Sequence, residues 1–134
     1  MAANSRFAVA AHVVAVLASK DGQFVPSSEI AQSVNTNPVV VRRILASLAK
    51  AGIVESEKGK TGGTKLTRCP SEISLWELYA ALGEKMFAVH RNPANPRCPL
   101  SCRMKETLLK AFGTAEKAAQ DALSKVTVKE LLDL

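Results

Sequence analysis

Residues 27–68, SSEIAQSVNTNPVVVRRILASLAKAGIVESEKGKTGGTKLTR, decide the fold. Ser27 is a good N-cap and Glu29 brings a negative charge to the first turn, so a helix starts here, with Ile30, Ala31 and Val34 as its apolar stripe. Asn37 can cap a second helix, and Pro38 suits its first position, where a missing N–H costs nothing. That helix carries Val41, Ile44, Leu45, Leu48 and Ala51 on one side and turns Arg42, Arg43 and Ser47 outward. Gly52 is a left-handed stop that lets Ile53 fold back onto Leu48. Two helices joined by a four-residue turn, the second basic on its outer face, make a helix-turn-helix pattern. Residues 53–57 and 65–68 then read as two short strands, because Gly59, Gly62 and Gly63 allow tight reversals between them. The pair forms a β wing.

The charge is concentrated in the same stretch. The 134-residue chain has a net charge of +6. Between Thr36 and Arg68, seven basic residues (Arg42, Arg43, Lys50, Lys58, Lys60, Lys65 and Arg68) face only Glu55 and Glu57, which places +5 of that total in one short segment. Such a cluster is the electrostatic footprint of a nucleic-acid binder. With 47% hydrophobic but only 4% aromatic residues, the rest of the chain favours packed helices, and its length suits one folding unit.

Outside the segment, residues 5–19 read as a helix apolar on nearly all sides, to be buried against several partners and ended by Asp21-Gly22. The run 7–18 could pass for a signal-peptide core, but it contains His12 and is needed as the first helix; it is too short to span a bilayer. Ser74 with Glu77 spells a capping box and Ile73 with Leu78 a hydrophobic staple, opening a helix that runs to Leu82. Pro93, Pro96 and Pro99 make residues 89–100 an extended loop. From residue 101 to about 125 a long helix returns, and Met104, Leu108, Ala111, Ala115, Ala118 and Ala122 form a seam of alternating four- and three-residue steps, with Phe112 beside it. The seam suits a two-fold helix contact between two copies; packing inside its own chain is the alternative. Thr127 with Glu130, flanked by Val126 and Leu131, repeats the cap logic for a last short helix. The expected class is mainly α: a winged helix-turn-helix domain over residues 1–82, a Pro-rich loop over 83–100, and a dimerisation helix and terminal helix over 101–134.

In order and spacing, Ser28-Glu29-Ile30-Ala31, Val41-Arg42-Arg43-Ile44-Leu45, Leu48 to Gly52, Gly59-Lys60-Thr61-Gly62-Gly63 with Leu66, and Ile73-Ser74-Leu75-Trp76-Glu77 together resemble the Rrf family of winged helix-turn-helix transcriptional regulators over essentially the full length. The resemblance implies a cytoplasmic homodimer joined by its long helices, binding double-stranded DNA at a pseudo-palindromic operator and usually repressing transcription. It makes Thr36, Asn37, Val39 and Arg42, with Arg43 alongside, the base-reading candidates, and Lys58, Lys60, Thr61 and Lys65 the wing candidates. Arg42 can grip guanine with two hydrogen bonds, whereas the wing lysines are point charges suited to phosphate. Ser27 and Ser28 could add phosphate contacts at a helix N-terminus.

Cluster-binding members of that family carry three cysteines in the loop before the long helix. Here the loop region holds two, Cys98 and Cys102, with Cys69 after the wing, so the chain reads as a branch without the cluster motif and no cofactor is expected. The odd count of three cysteines argues against a disulfide scaffold and for a reducing compartment. Three readings of Cys98 and Cys102 stay open: plain thiols, a redox or electrophile switch favoured by Arg97, Arg103 and Lys105, or a metal or cluster site with further ligands from elsewhere, for which His90 is one candidate. An effector of unknown identity, small molecule or oxidant, is expected to act around residues 87–100.

Catalysis is not supported. The chain has two histidines, no phosphate-cradling strand-loop-helix and no nucleophile-base set, and the wing glycines lead into a strand rather than a helix. A winged helix that contacts protein instead of DNA is the other rival, against which the basic outer face speaks.

Overall fold

The structure is a computed structural model describing residues 5–60 and 62–133, apart from the side chain of Cys102; Thr61 lies outside that description. Helix α1 (Arg6–Ser19) is the hub. Ala10, Val13, Val14 and Leu17, spaced three and four apart, are all buried and meet residues from every later layer of the winged core. Its exposed side is narrow and includes His12. Asp21 and Gly22, both at positive φ, turn the chain away.

Helix α2 (Ser27–Val34) starts one residue earlier than a Ser27 cap would give. Pro26 is extended and its carbonyl already accepts the N–H groups of Glu29 and Ile30, so Ser27 is the first helical residue and its side chain makes no capping bond. Asn35 ends the helix in the left-handed conformation, and the Thr36 N–H reaches back to the Ala31 carbonyl at 3.0 Å.

Helix α3 (Pro38–Lys50) follows after a short turn. The Asn37 side chain accepts the Val39 N–H at 2.8 Å, with Pro38 at the first helical position. Val41, Ile44, Leu45 and Leu48 are buried. Ala51 is not part of that stripe, because it is the C-cap and is exposed. Beyond it Gly52 has positive φ and the Ile53 N–H bonds the Leu48 carbonyl at 3.0 Å, the closure that brings Ile53 into the core.

The wing pairs β1 (Val54–Glu57) with β2 (Gly63–Leu66) antiparallel, Val54 opposite Leu66 and Glu57 opposite Gly63. The second strand thus lies two residues earlier than a 65–68 strand. Thr64 forms a further bridge with Val25, with both backbone hydrogen bonds at 2.9 Å, and this third layer draws residues 63 and 64 into the sheet. Only glycine fits at 63, since a Cβ there would collide with the Val25 carbonyl.

A 3-10 turn over Pro70–Glu72 leads to α4 (Leu75–Leu82), closed by Gly83. The capping box is complete: Ser74 Oγ accepts from Glu77 N–H, and Glu77 Oε2 accepts from Ser74 N–H at 2.9 Å. Helix α5 runs Pro99–Leu123. It therefore claims Pro99 and Leu100 from the expected loop, because proline at a first helical position costs no hydrogen bond. The short α6 (Val128–Leu132) returns to α1 and the Pro70–Glu72 turn, where Val128 is fully buried and Leu131 stays exposed.

Candidate nucleic-acid interface

The site is built on α3. Its buried residues Val41, Ile44, Leu45 and Leu48 define the inward side, so the 3.6-residue period sets Val39, Arg43, Ala46 and Lys50 directly opposite, all exposed. Arg42, the favoured base reader in the sequence, stands on one flank of this outward stripe, and Arg43 stands in its middle. Arg42, Arg43 and Lys50 have no ion pair among the described residues, so their charges face solvent uncompensated. Asn37 is exposed at the start of the helix, while its side chain is already engaged by the Val39 N–H. Thr36 is half-buried and lines a groove with Ser5, Arg6, Val9, Val40 and Arg43.

Arg6 was not among the expected site residues, yet it ties three elements together. Its guanidinium reaches the Leu82 carbonyl at 3.3 Å, Glu84 at 3.1 Å and Ser47 Oγ on α3 at 3.4 Å. The α1 N-terminus therefore braces the outer helix. Only a polar residue at the head of an otherwise apolar helix hinted at this.

The wing cations divide into two kinds. Lys58 and Lys60 sit at the hairpin tip, exposed and without an ion pair among the described residues. Lys65 is opposite Glu55 in the ladder, 3.3 Å from its carboxylate, and its ammonium lies 4.9 Å above the Phe24 ring. Its charge is partly spent within the chain. Arg68 is likewise taken up: it bonds Glu77 at 2.7 Å and the Glu72 carbonyl at 2.6 Å, and it holds the Glu77 carboxyl below its ordinary range. Ser28 is exposed and Ser27 half-buried in the first turn of α2, where N–H groups point outward.

A wing after an α3 with this cationic outward stripe is the shape of a DNA-binding regulator. Residues 3–134 match the model of the Rrf2 family, described as iron-dependent transcriptional regulators. The chain belongs to the Rrf2 family. This Rrf2 chain is 41% identical over 133 residues to YwnA of Bacillus subtilis, provisionally described as an HTH-type transcriptional regulator, covering 97% of this chain and 96% of that protein. A solved structure from Lactobacillus plantarum, provisionally described as a transcriptional regulator, superposes with a TM-score of 0.81 at 29% identity, covering 96% of this chain and 87% of that one. CymR of B. subtilis, named the global cysteine regulator, shares the fold at a TM-score of 0.68 and 21% identity, covering 98% and 95%. The protein is a DNA-binding transcriptional regulator, not an enzyme.

Helix α5 presents a second surface, away from the outward stripe of α3. The expected seam is largely uncovered within the chain: Met104 is 47% exposed and Ala111, Ala115, Ala118 and Ala122 are exposed. Leu100, 72% exposed, continues it by one turn and was missed because Pro99 read as loop. Phe112 belongs elsewhere. It stacks on Phe87 at 5.4 Å and shares with Glu116, Ala119 and Leu123 the half-buried side of α5 turned toward its own chain, so it is an intrachain contact. Among the described residues no helix is long and apolar enough to cross a membrane.

Loop and helix together line an open cavity of about 440 Å³. Its walls combine Val89, Leu100, Met104 and Leu108 with His90, Arg91, Lys105 and Cys98. Iron-sulfur clusters need about four ligands, mostly thiolates. Cys98 is the N-cap of α5 in this cavity, whereas Cys69 lines a different groove with Leu17 and Arg68, and no group of three donors able to hold a metal occurs among the described residues. Of the three cysteines in the chain, Cys69 and Cys98 therefore stand in separate grooves, and the described residues bring no set of cluster ligands together.

Proposed function

We propose that this regulator is a cytoplasmic homodimer that binds a pseudo-palindromic operator and represses transcription without a resident cluster. The observation that carries the reading is the outward stripe of α3, with Val39, Arg43 and Lys50 exposed and the two cations unpaired among the described residues. In this reading α3 enters the major groove, Arg43 and Arg42 reach base edges or phosphates, and Lys58 and Lys60 follow the backbone. The backbone N–H groups at Ser27 and Ser28 add phosphate contacts, and Thr36 and Asn37 approach the groove edge. Dimerisation through Leu100, Met104, Ala111, Ala115, Ala118 and Ala122 covers an apolar seam that a monomer leaves in water, and two copies related by a two-fold axis require a palindromic site. The cavity around Cys98 is where an effector would act.

Selection of bound fragments from genomic DNA tests the reading. The expected result is a small set of palindromic sites whose affinity falls steeply with salt, in a complex of two chains per site. Equal weak binding to any polyanion would instead favour a protein-contact module.

A further inference from the structure

Val39 breaks a local rule. It is a β-branched residue, 43% exposed, in the first turn of a helix, and it is the first of three consecutive valines of which Val41 alone is buried. Val40 has apolar company, lining the groove beside Val9. Val39, exposed to a similar degree, instead stands opposite the core, one turn before Arg43 on the cationic outward stripe. A helical valine holds essentially one rotamer, so its methyl groups are presented rigidly and lose little entropy on contact. Local rules are broken in this way mostly at functional positions.

We propose, on the basis of the regulator reading, that Val39 packs on the 5-methyl group of a thymine in the major groove and that Arg43 reads a guanine beside it. Thymine is the base that offers an apolar group there, and guanine the one that offers two acceptors to an arginine fork. Val39 and Arg43 are about 6 Å apart along the helix, which is under two base steps. Each half-site must therefore contain a thymine and a guanine within about two base pairs of each other.

The test uses the full chain and its selected operator, with each thymine replaced in turn by deoxyuridine, which removes only the methyl group. Replacement at one position per half-site is expected to weaken binding about fourfold, the cost of exposing one methyl. Val39→Ala, which removes the contact from both half-sites at once, should lose about the square of that factor, roughly sixteenfold, on the natural operator and be indifferent to the same replacement. Replacing the neighbouring guanine with 7-deazaguanine should weaken binding by the parent chain but not by Arg43→Ala. A deoxyuridine penalty that persists in Val39→Ala, or one found at no position, overturns the proposal while leaving the regulator reading intact. A chain that selects no operator overturns both. Val39 is exposed, so unchanged thermal unfolding of the variant separates lost contact from lost fold.

Discussion

Ser74 and Thr127 face each other in an isolated antiparallel bridge, each standing immediately before a helix and each followed three residues later by a glutamate. The Leu75 N–H donates to the Val126 carbonyl and the Val128 N–H to the Ile73 carbonyl, both at 2.9 Å, so the starts of α4 and α6 are stitched together. The last helix is thereby part of the DNA-binding core, although the chain reaches it only after the long α5. Val128→Ala should lower unfolding free energy by about 2 kcal/mol, while Leu131→Ala, exposed, should change it by less than about 0.5 kcal/mol. Urea denaturation of the two variants checks this; equal losses would mean that α6 does not belong to the core.

Glu77 makes two attachments at once, to the Ser74 N–H and to Arg68, and its carboxyl is held below the ordinary range mainly by the Arg68 hydrogen bond. A lowered carboxylate pKa stabilises the fold at pH values above the ordinary range and loses that contribution as pH falls through the lowered value. Denaturation curves from about pH 7 down to about pH 3 should show the parent chain losing its advantage over Glu77→Gln toward the acid end. A difference that stays constant with pH would show that the Arg68 pair contributes nothing to stability.

Lys65 and Lys60 have the same charge and different surroundings. Because Glu55 already neutralises Lys65, Lys60→Ala should reduce the slope of log affinity against log salt by about one, and Lys65→Ala by clearly less. Glu55→Gln should raise affinity for random duplex DNA by releasing the Lys65 charge. Arg43→Ala should cost about 1–3 kcal/mol on the operator and flatten base preference. Salt titrations on specific and random duplexes distinguish the four; equal slopes for the two lysine variants would mean that the Glu55 pair opens on DNA.

Ala115 lies mid-seam with its Cβ in water. On the proposed dimer, Ala115→Glu should leave the fold intact, give a monomer in sedimentation where the parent chain is dimeric, and reduce operator affinity by orders of magnitude, since a two-fold site then binds one half at a time. A variant that stays dimeric would place the interface elsewhere.

Much of the DNA-reading half was legible because its signals are local. Asn37, Pro38 and Gly52 act on the helix they adjoin, and the stripe of Val41, Ile44, Leu45 and Leu48 follows from helical period alone. Ser27 and Pro99 were misplaced by one or two residues, because Pro26 can cap through its carbonyl and Pro99 can open a helix as readily as interrupt one. The candidate site was read less completely. Arg43's place mid-stripe follows from the same helical period, although Arg42 was favoured in the sequence, but which lysine is already paired depends on what surrounds each charge.

The sequence by itself determined the element order, the caps of α3 and α4, the wing and the location of the excess positive charge, since each depends on residues within a turn or two of each other. Only the tertiary structure decided that Gly63 must pass against Val25, that Phe87 takes Phe112 away from the seam, that Arg6 braces α3, and that α6 closes the core at Val128. Those contacts join residues far apart in the chain, and no local periodicity records which distant surface will supply the missing partner.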